Sequence, residues 1–167
     1  MMAGSSRGSA SPAHSRAACF ALLCCLWGGI SPAAFAAEDG AHPHHIAMAT
    51  GAAWHGSESS AYLGFDYAYT FSNGLSAAVF VEQVRGDFDL AAYGIAVGKF
   101  FDNGWKVSTG PGVETKLKNN KTLFLWHFNV GYDWHFGNWS VGPIASFDYI
   151  EDASNTTYLG VSIGYGF

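Results

Sequence analysis

The stretch TYLGVSIGYGF, residues 157–167, alternates between bulky or β-branched side chains and mostly small ones. One parity holds Thr157, Leu159, Val161, Ile163, Tyr165 and Phe167, and the other holds Tyr158, Gly160, Ser162, Gly164 and Gly166. A pleated strand sends alternate residues to opposite faces, so the stretch predicts a β-strand with one apolar face. Narrow barrels whose apolar face contacts lipid are built from such strands.

Seven further segments alternate in the same way and predict seven more strands. They are residues 45–54, 62–71, 75–84, 90–101, 105–117, 123–136 and 139–150. Eight is the smallest usual number of strands for a membrane barrel, and side chains then fill the interior. We therefore predict an all-β fold, an eight-stranded antiparallel up-and-down transmembrane β-barrel.

The predicted connections differ in length between the two ends of this barrel. Three of them contain residues that tolerate positive φ and are expected to be tight turns: 72–74, 102–104 and 137–138. The other four, 55–61, 85–89, 118–122 and 151–156, are expected to be longer and more polar. Short periplasmic turns and longer outer loops are typical of outer-membrane barrels. This arrangement would place the beginning and the end of the predicted barrel domain on the periplasmic side.

The N-terminal residues have the pattern of a cleaved signal peptide. Arg7 and Arg16 precede an apolar run at 17–30, and Ala34-Phe35-Ala36 offers a small-x-small cleavage site. The run is shorter than the about 20 residues that a membrane-spanning helix needs. We predict a signal peptide at 1–36, a periplasmic leader at 37–44 and an outer-membrane β-barrel domain at 45–167.

After removal of that peptide the chain would be acidic and free of thiols. All three cysteines lie within it, as do two of the eight lysines and arginines, which leaves six cations against 13 carboxylates. Nucleic-acid binding needs a basic surface, so we expect no nucleic-acid partner. Charged residues are only 13% of the chain and aromatic residues 16%, which suits a protein whose outer face contacts lipid.

The chain resembles the small outer-membrane β-barrel superfamily that includes the OmpA-like and OmpX-like barrels. The terminal Gly-Tyr-Gly-Phe at 164–167 carries this resemblance, with aromatic residues alternating back from Phe167. A subgroup of small bacterial barrels is resembled more narrowly, at Gly-Pro-Gly-Val-Glu (110–114), Gly-Phe-Asp-Tyr (64–67) and the His44-His45 opening. The resemblance to this subgroup implies a fold but no activity.

The resemblance implies a location in the outer membrane of a Gram-negative cell. It also implies that Tyr165 and Phe167 form the signal presented to the barrel-assembly machinery. Outer-membrane lipids and lipopolysaccharide are the expected partners, and the outward-end lysines Lys116, Lys118 and Lys121 could contact lipopolysaccharide phosphates.

The inward-facing parity carries charged residues that form a candidate interior polar network: Asp66, Glu82, Glu114, His127, Asp133 and Asp148. Charges inside a narrow barrel need partners, because desolvating a lone carboxylate is costly. The two-residue turn Gly137-Asn138 sets the register of its two strands so that His127 lies directly opposite Asp148. We predict a polar belt of Glu82, Glu114, His127 and Asp148, with Asp66 beneath it on the periplasmic side and Lys106 lower still.

Three functions remain open at this point: a structural or surface-interaction barrel, which is favoured, a lipid-modifying enzyme of the lipid A deacylase type, and a narrow ion or proton conductor. The enzyme would need Ser57 or Ser59 within hydrogen-bond reach of His55. The conductor would need a continuous water path past Glu82 and Glu114. We expect no catalytic residues, no cofactor and no metal site, since the histidines match no defined zinc spacing.

Overall fold

The computed structural model describes residues 42–86, 88–118, 120–151 and 153–167. The predicted signal peptide and most of the predicted leader lie outside this part of the chain. No helix among the described residues is long and apolar enough to cross a membrane.

Antiparallel strands make up most of the described chain. They are β1 (His44–His55), β2 (Glu58–Thr70), β3 (Leu75–Arg85), β4 (Leu90–Phe100), β5 (Trp105–Lys116), β6 (Lys121–Tyr132), β7 (Trp134–Phe136), β8 (Trp139–Ile150) and β9 (Thr156–Gly166). Their order in the sheet is β6-β5-β4-β3-β2-β1-β9-β8-β7, and β6 also pairs with β8. That pairing closes the sheet, and because β6 and β7 are two parts of one barrel strand, the protein is an eight-stranded barrel, as predicted.

The sixth barrel strand is interrupted at Asp133, where the sequence predicts one continuous strand. Gly131 pairs with Ile144 before the break and Trp134 pairs with Val141 after it, so the register is the same on both sides. This register sets Tyr132, the last residue of β6, opposite Pro143. Proline has no N–H to donate to the hydrogen bonds between β8 and its neighbouring strand. This accounts for a break in the strand without a change of register.

The two ends of the barrel carry connections of similar length, which corrects the predicted asymmetry. At the end where β1 begins and β9 ends, called here the terminal end, they span four, four and two residues; at the opposite, distal end they span two, four, four and five. The largest difference is at 55–61, where β1 and β2 stay paired as far as His55 with Glu58. Gly56, with φ of 62°, allows the two-residue turn that replaces the expected loop.

The outer face of the barrel is apolar, as the alternation predicts. Large hydrophobic side chains on every full-length strand are exposed there, among them Phe65, Val79, Ile95 and Trp139. An exposed apolar surface of this extent is the mark of a face that contacts lipid or another protein.

Aromatic rings contact one another around the terminal end. Trp105 packs edge-on against Tyr132, with ring centroids 5.4 Å apart, and Trp139 packs against Tyr165 at 4.9 Å. Phe167 exchanges backbone hydrogen bonds with His44 at 2.9 and 3.1 Å and stacks on its ring. The last residue therefore takes part in the β1–β9 seam that closes the barrel.

Apolar side chains fill much of the interior. One cluster consists of Ala49, Ala53, Tyr62, Val84, Phe88, Leu90, Ile144 and Tyr158, and the other of Phe80, Ala92, Ala96, Leu125 and Ile150. Cross-strand glycine pairs make room for the rings, Gly51 opposite Gly160 and Gly94 opposite Gly112. A Cβ on Gly160 would lie 2.7 Å from the Tyr62 hydroxyl, so the ring occupies the space that the glycine leaves.

Candidate functional site

All six residues of the candidate polar network face the barrel interior. Five of them are buried, with only 7% of Glu82 and none of Glu114 exposed, and Asp66 is half-buried. They come from β2, β3, β5, β6 and β8 and from the break before β7. The structure brings four of them together as the polar belt and leaves Asp66 and Asp133 nearer the terminal end.

His127 and Asp148 form the centre of the belt. They are register partners on β6 and β8, as predicted, and His127 Nδ1 lies 2.7 Å from Asp148 Oδ1. Phe80 stacks on the imidazole with a centroid distance of 4.2 Å, and the Tyr158 hydroxyl donates to Asp148 Oδ2 at 3.3 Å. Both oxygens of Asp148 are therefore engaged, and the imidazole is held on one face by a ring.

Glu82 and Glu114 approach this pair from other strands. One ligand atom each of Glu82, His127 and Asp148 lies within 4.8 Å of the other two. Glu114 accepts a hydrogen bond from Thr156, Oγ1 to Oε2 at 3.5 Å, and Thr156 is the register partner of Asp148. Glu82 Oε2 and Glu114 Oε1 are buried and have no hydrogen-bond partner among the described residues.

Asp133 belongs to a separate ion pair. Lys106 Nζ lies 2.9 Å from Asp133 Oδ2 and 3.4 Å from Ser162 Oγ. Both charges are buried near the terminal end, where Lys106 follows the turn at 101–104. The buried lysine thus neutralises a carboxylate outside the belt.

A cavity of about 70 Å³ lies on the terminal side of the belt. Glu82 and His127 border it, and it continues past Asp66 toward Ser76 and Phe100. On the distal side of the belt Val84, Leu90 and Leu125 are at most 1% exposed and fill the barrel, and Tyr158 fills the lumen at the belt itself. The continuous water path that a conductor needs is not seen in the described part of the barrel.

His55 at the distal end does not form the arrangement expected of a deacylase. Its Nδ1 lies 2.9 Å from Thr156 Oγ1, and its Nε2 lies 3.5 Å from Lys116 Nζ. Ser57 is in the tight turn, and Ser59 is the register partner of Trp54. The observed partners of the imidazole are therefore a threonine and a lysine.

Sequence reasoning missed Thr156 and Tyr158 as parts of the belt. Both are fully buried and lie on the inward parity of β9, among glycines and serines. A bulky tyrosine in a row of small residues was a signal that this position fills the lumen. The threonine gave no comparable signal.

Lys116 and Lys121 are direct register partners at the distal tip of the β5–β6 hairpin. Lys118 is exposed in the connection between them. The three lysines that the sequence singles out are thus gathered on one hairpin.

No protein-family model and no curated protein matches this sequence. Solved structures share its fold. The N-terminal β-barrel domain of Pseudomonas aeruginosa OprF is similar at a TM-score of 0.59 and 12% identity, over 74% of this chain and 97% of that chain. Neisserial surface protein A is similar at a TM-score of 0.51 and 13% identity, over 74% of this chain and 96% of that chain.

These two structures are eight-stranded outer-membrane barrels. The described chain has the same closed, all-antiparallel architecture, which confirms the fold class that the sequence predicts. At this level of identity the likeness establishes the fold alone.

Proposed function

We propose that this protein is a structural barrel of the outer membrane of a Gram-negative cell, exported by its signal peptide and inserted with the terminal end in the periplasm. The observation that supports it most is the combination of an apolar outer face with a lumen filled by side chains on the distal side of the polar belt. The first feature suits lipid contact, and the second leaves no wide channel.

The short distal connections favour a structural role over adhesion. They span between two and five residues, so little polypeptide extends beyond the strands to contact a protein partner. The surface available to partners is chiefly the lipid-facing wall and the hairpin tips. Stabilisation of the surrounding membrane by this wall is the function that fits best.

Planar-bilayer recording tests this function, with a water-filled porin prepared in the same detergent as the control. We expect no stable conductance steps from the purified barrel, because Leu125 and Tyr158 fill the lumen. Stepwise openings of porin size would contradict the proposal. An unchanged lipid A mass profile in cells lacking the protein is expected as well, since within the described residues His55 contacts Thr156 and Lys116 and no serine.

The β5–β6 hairpin, which carries Lys116, Lys118 and Lys121, supports the proposal that phosphates of outer-leaflet lipid are partners of the barrel. Lys116 and Lys121 are directly opposite each other, and like charges in that position are destabilising. Lysine ammonium groups gathered at one hairpin tip are the kind of groups that bind a phosphate.

We expect lipid A to raise the temperature at which the folded gel band converts to the unfolded one, and bis-dephosphorylated lipid A to have little effect. The doubly substituted Lys116→Gln/Lys121→Gln protein should lose the difference between the two lipids. Lys99→Gln, an exposed lysine near the terminal end, is the matched control and should keep it. Equal shifts with both lipids in the unsubstituted protein would contradict phosphate recognition.

A further inference from the structure

We infer that the polar belt contains a binding site for a divalent transition-metal ion of the zinc type, formed by Glu82, His127 and Asp148. Each residue offers one ligand atom, and the three atoms lie within 4.8 Å of one another. Imidazole nitrogen and carboxylate oxygen together are zinc ligands, whereas calcium and magnesium prefer oxygen alone. The sequence predicted no metal site because the spacing of its histidines matches no defined zinc motif, and Glu82, His127 and Asp148 are far apart in the chain.

The three ligands stand on three paired strands of the barrel. They stand on β3, β6 and β8, and β3 and β8 lie on opposite walls. Tyr158 fixes Asp148 from one side, and Phe80 fixes the imidazole plane. Side-chain rotation would have to bring the three atoms closer than their present separations of up to 4.8 Å to surround one ion.

One oxygen of Glu82 gives a second reason to expect a ligand, beside the closeness of the three ligand atoms. Glu82 is more than nine-tenths buried, and its Oε2 has no hydrogen-bond partner among the described residues. Burying a carboxylate oxygen that makes no hydrogen bond is costly, even where the rest of the side chain lies beside Tyr158 and Asp148. The carboxylate therefore has unused capacity at the position where it faces His127 and Asp148.

The charge balance of the belt also favours a cation. Glu82, Glu114 and Asp148 meet there with His127, while the buried lysine, Lys106, is paired with Asp133 nearer the terminal end. A divalent ion would offset the excess of carboxylates. It would also link β3 to β6 and β8 across the lumen and so brace the barrel.

The cavity gives the ion a route to the site. It borders both Glu82 and His127 and extends toward the terminal end past Asp66 and Ser76. Asp66 and Ser76 are polar groups that can contact a hydrated ion, while Lys106 and apolar side chains such as Ala78 and Phe100 line the same cavity. The distal side is filled, so we expect loading from the periplasm.

Isothermal titration of Zn²⁺ into EDTA-stripped, detergent-folded barrel, with metal content checked by mass spectrometry after dialysis, tests this inference. We expect one zinc ion per barrel and a higher temperature of gel-band conversion with zinc. Glu82→Gln and His127→Gln should each weaken zinc binding by about 100-fold or more, because loss of an outer partner alone costs 10–100-fold. Both variants keep the side-chain size, and heat-dependent gel mobility establishes which of them is folded.

Two controls make the result specific. Asp66→Asn removes a neighbouring inward carboxylate that is not a ligand and should leave zinc affinity within a few-fold. The doubly substituted His42→Asn/His44→Asn protein removes histidines near the chain terminus and should also retain the ion. The inference is overturned if the unsubstituted barrel binds no zinc, if folded Glu82→Gln or His127→Gln binds it equally well, or if binding disappears with His42 and His44. The result of the zinc titration does not depend on the result of the planar-bilayer recording that tests the proposed function.

Discussion

At the scale of single residues, His127 is the side chain on which the interior depends most. It contacts Asp148 at 2.7 Å, stacks on Phe80 and faces Glu82. A buried pair of this kind is costly to break, since removal of one partner leaves the other desolvated and alone. Replacing both partners by apolar groups avoids that cost.

A double-mutant cycle in EDTA tests this coupling. We expect His127→Ala to lower the free energy of unfolding by about 3–5 kcal/mol, because Asp148 stays buried without its partner. His127→Leu/Asp148→Leu together should cost less than either single leucine substitution. Urea unfolding of the detergent-folded barrel measures each value, and additive effects of the two substitutions would show that the pair is not coupled.

At the scale of elements, the β1–β9 seam relies on closely approaching backbones. Gly51 and Gly160 face each other on the inward side, and a Cβ on Gly51 would overlap the Leu159 carbonyl oxygen. No rotamer change removes such a contact, because both atoms belong to the backbone framework. The seam must separate locally if the glycine is replaced.

Gly51→Ala is therefore expected to destabilise the barrel by about 1–3 kcal/mol, the usual cost of forced overpacking. Gly64→Ala is a matched control on the neighbouring strand, since its Cβ would meet ordinary contacts at 3.7 Å, and we expect a change of roughly 0.5 kcal/mol or less. The temperature of gel-band conversion and urea unfolding report both. Equal stability of the two variants would contradict a tight seam.

At the scale of the whole molecule, closure brings the two ends of the barrel domain together. Phe167 pairs with His44, and its ring adds to the aromatic surface at the terminal end. A terminal aromatic residue that closes the barrel and is also read during assembly would serve two purposes. The two roles can be separated, because the first concerns the folded state and the second the route to it.

We expect Phe167→Ala to reduce the amount of folded protein in the outer-membrane fraction, and Phe167→Tyr, which keeps the ring, to restore it. The folded, heat-shifted gel band in fractionated membranes measures this amount. Purified Phe167→Ala refolded in detergent should keep most of its stability, because the two backbone hydrogen bonds to His44 do not depend on the ring. Normal outer-membrane levels of Phe167→Ala would show that this residue is not an assembly signal.

The sequence by itself determined the strands, their two faces and their antiparallel order, because side-chain direction alternates along any strand and short turns join neighbours. It also determined that His127 faces Asp148, since a two-residue turn sets the register of adjacent strands. The prediction of a longer loop at 55–61 was wrong, because glycine and serine are common both in loops and in the tight turns of β-hairpins. The signal peptide stays a prediction.

Only the tertiary structure decided which residues meet across the lumen. Glu82 reaches Asp148 from the opposite wall, and Glu114 reaches Thr156, although neither pair is joined by a hairpin. Such contacts depend on how the closed sheet twists and on which side chains fill it, and Tyr62, Phe80 and Tyr158 do so here. Alternation along a strand carries no information about distances across a barrel, because those distances exist only once the sheet has closed.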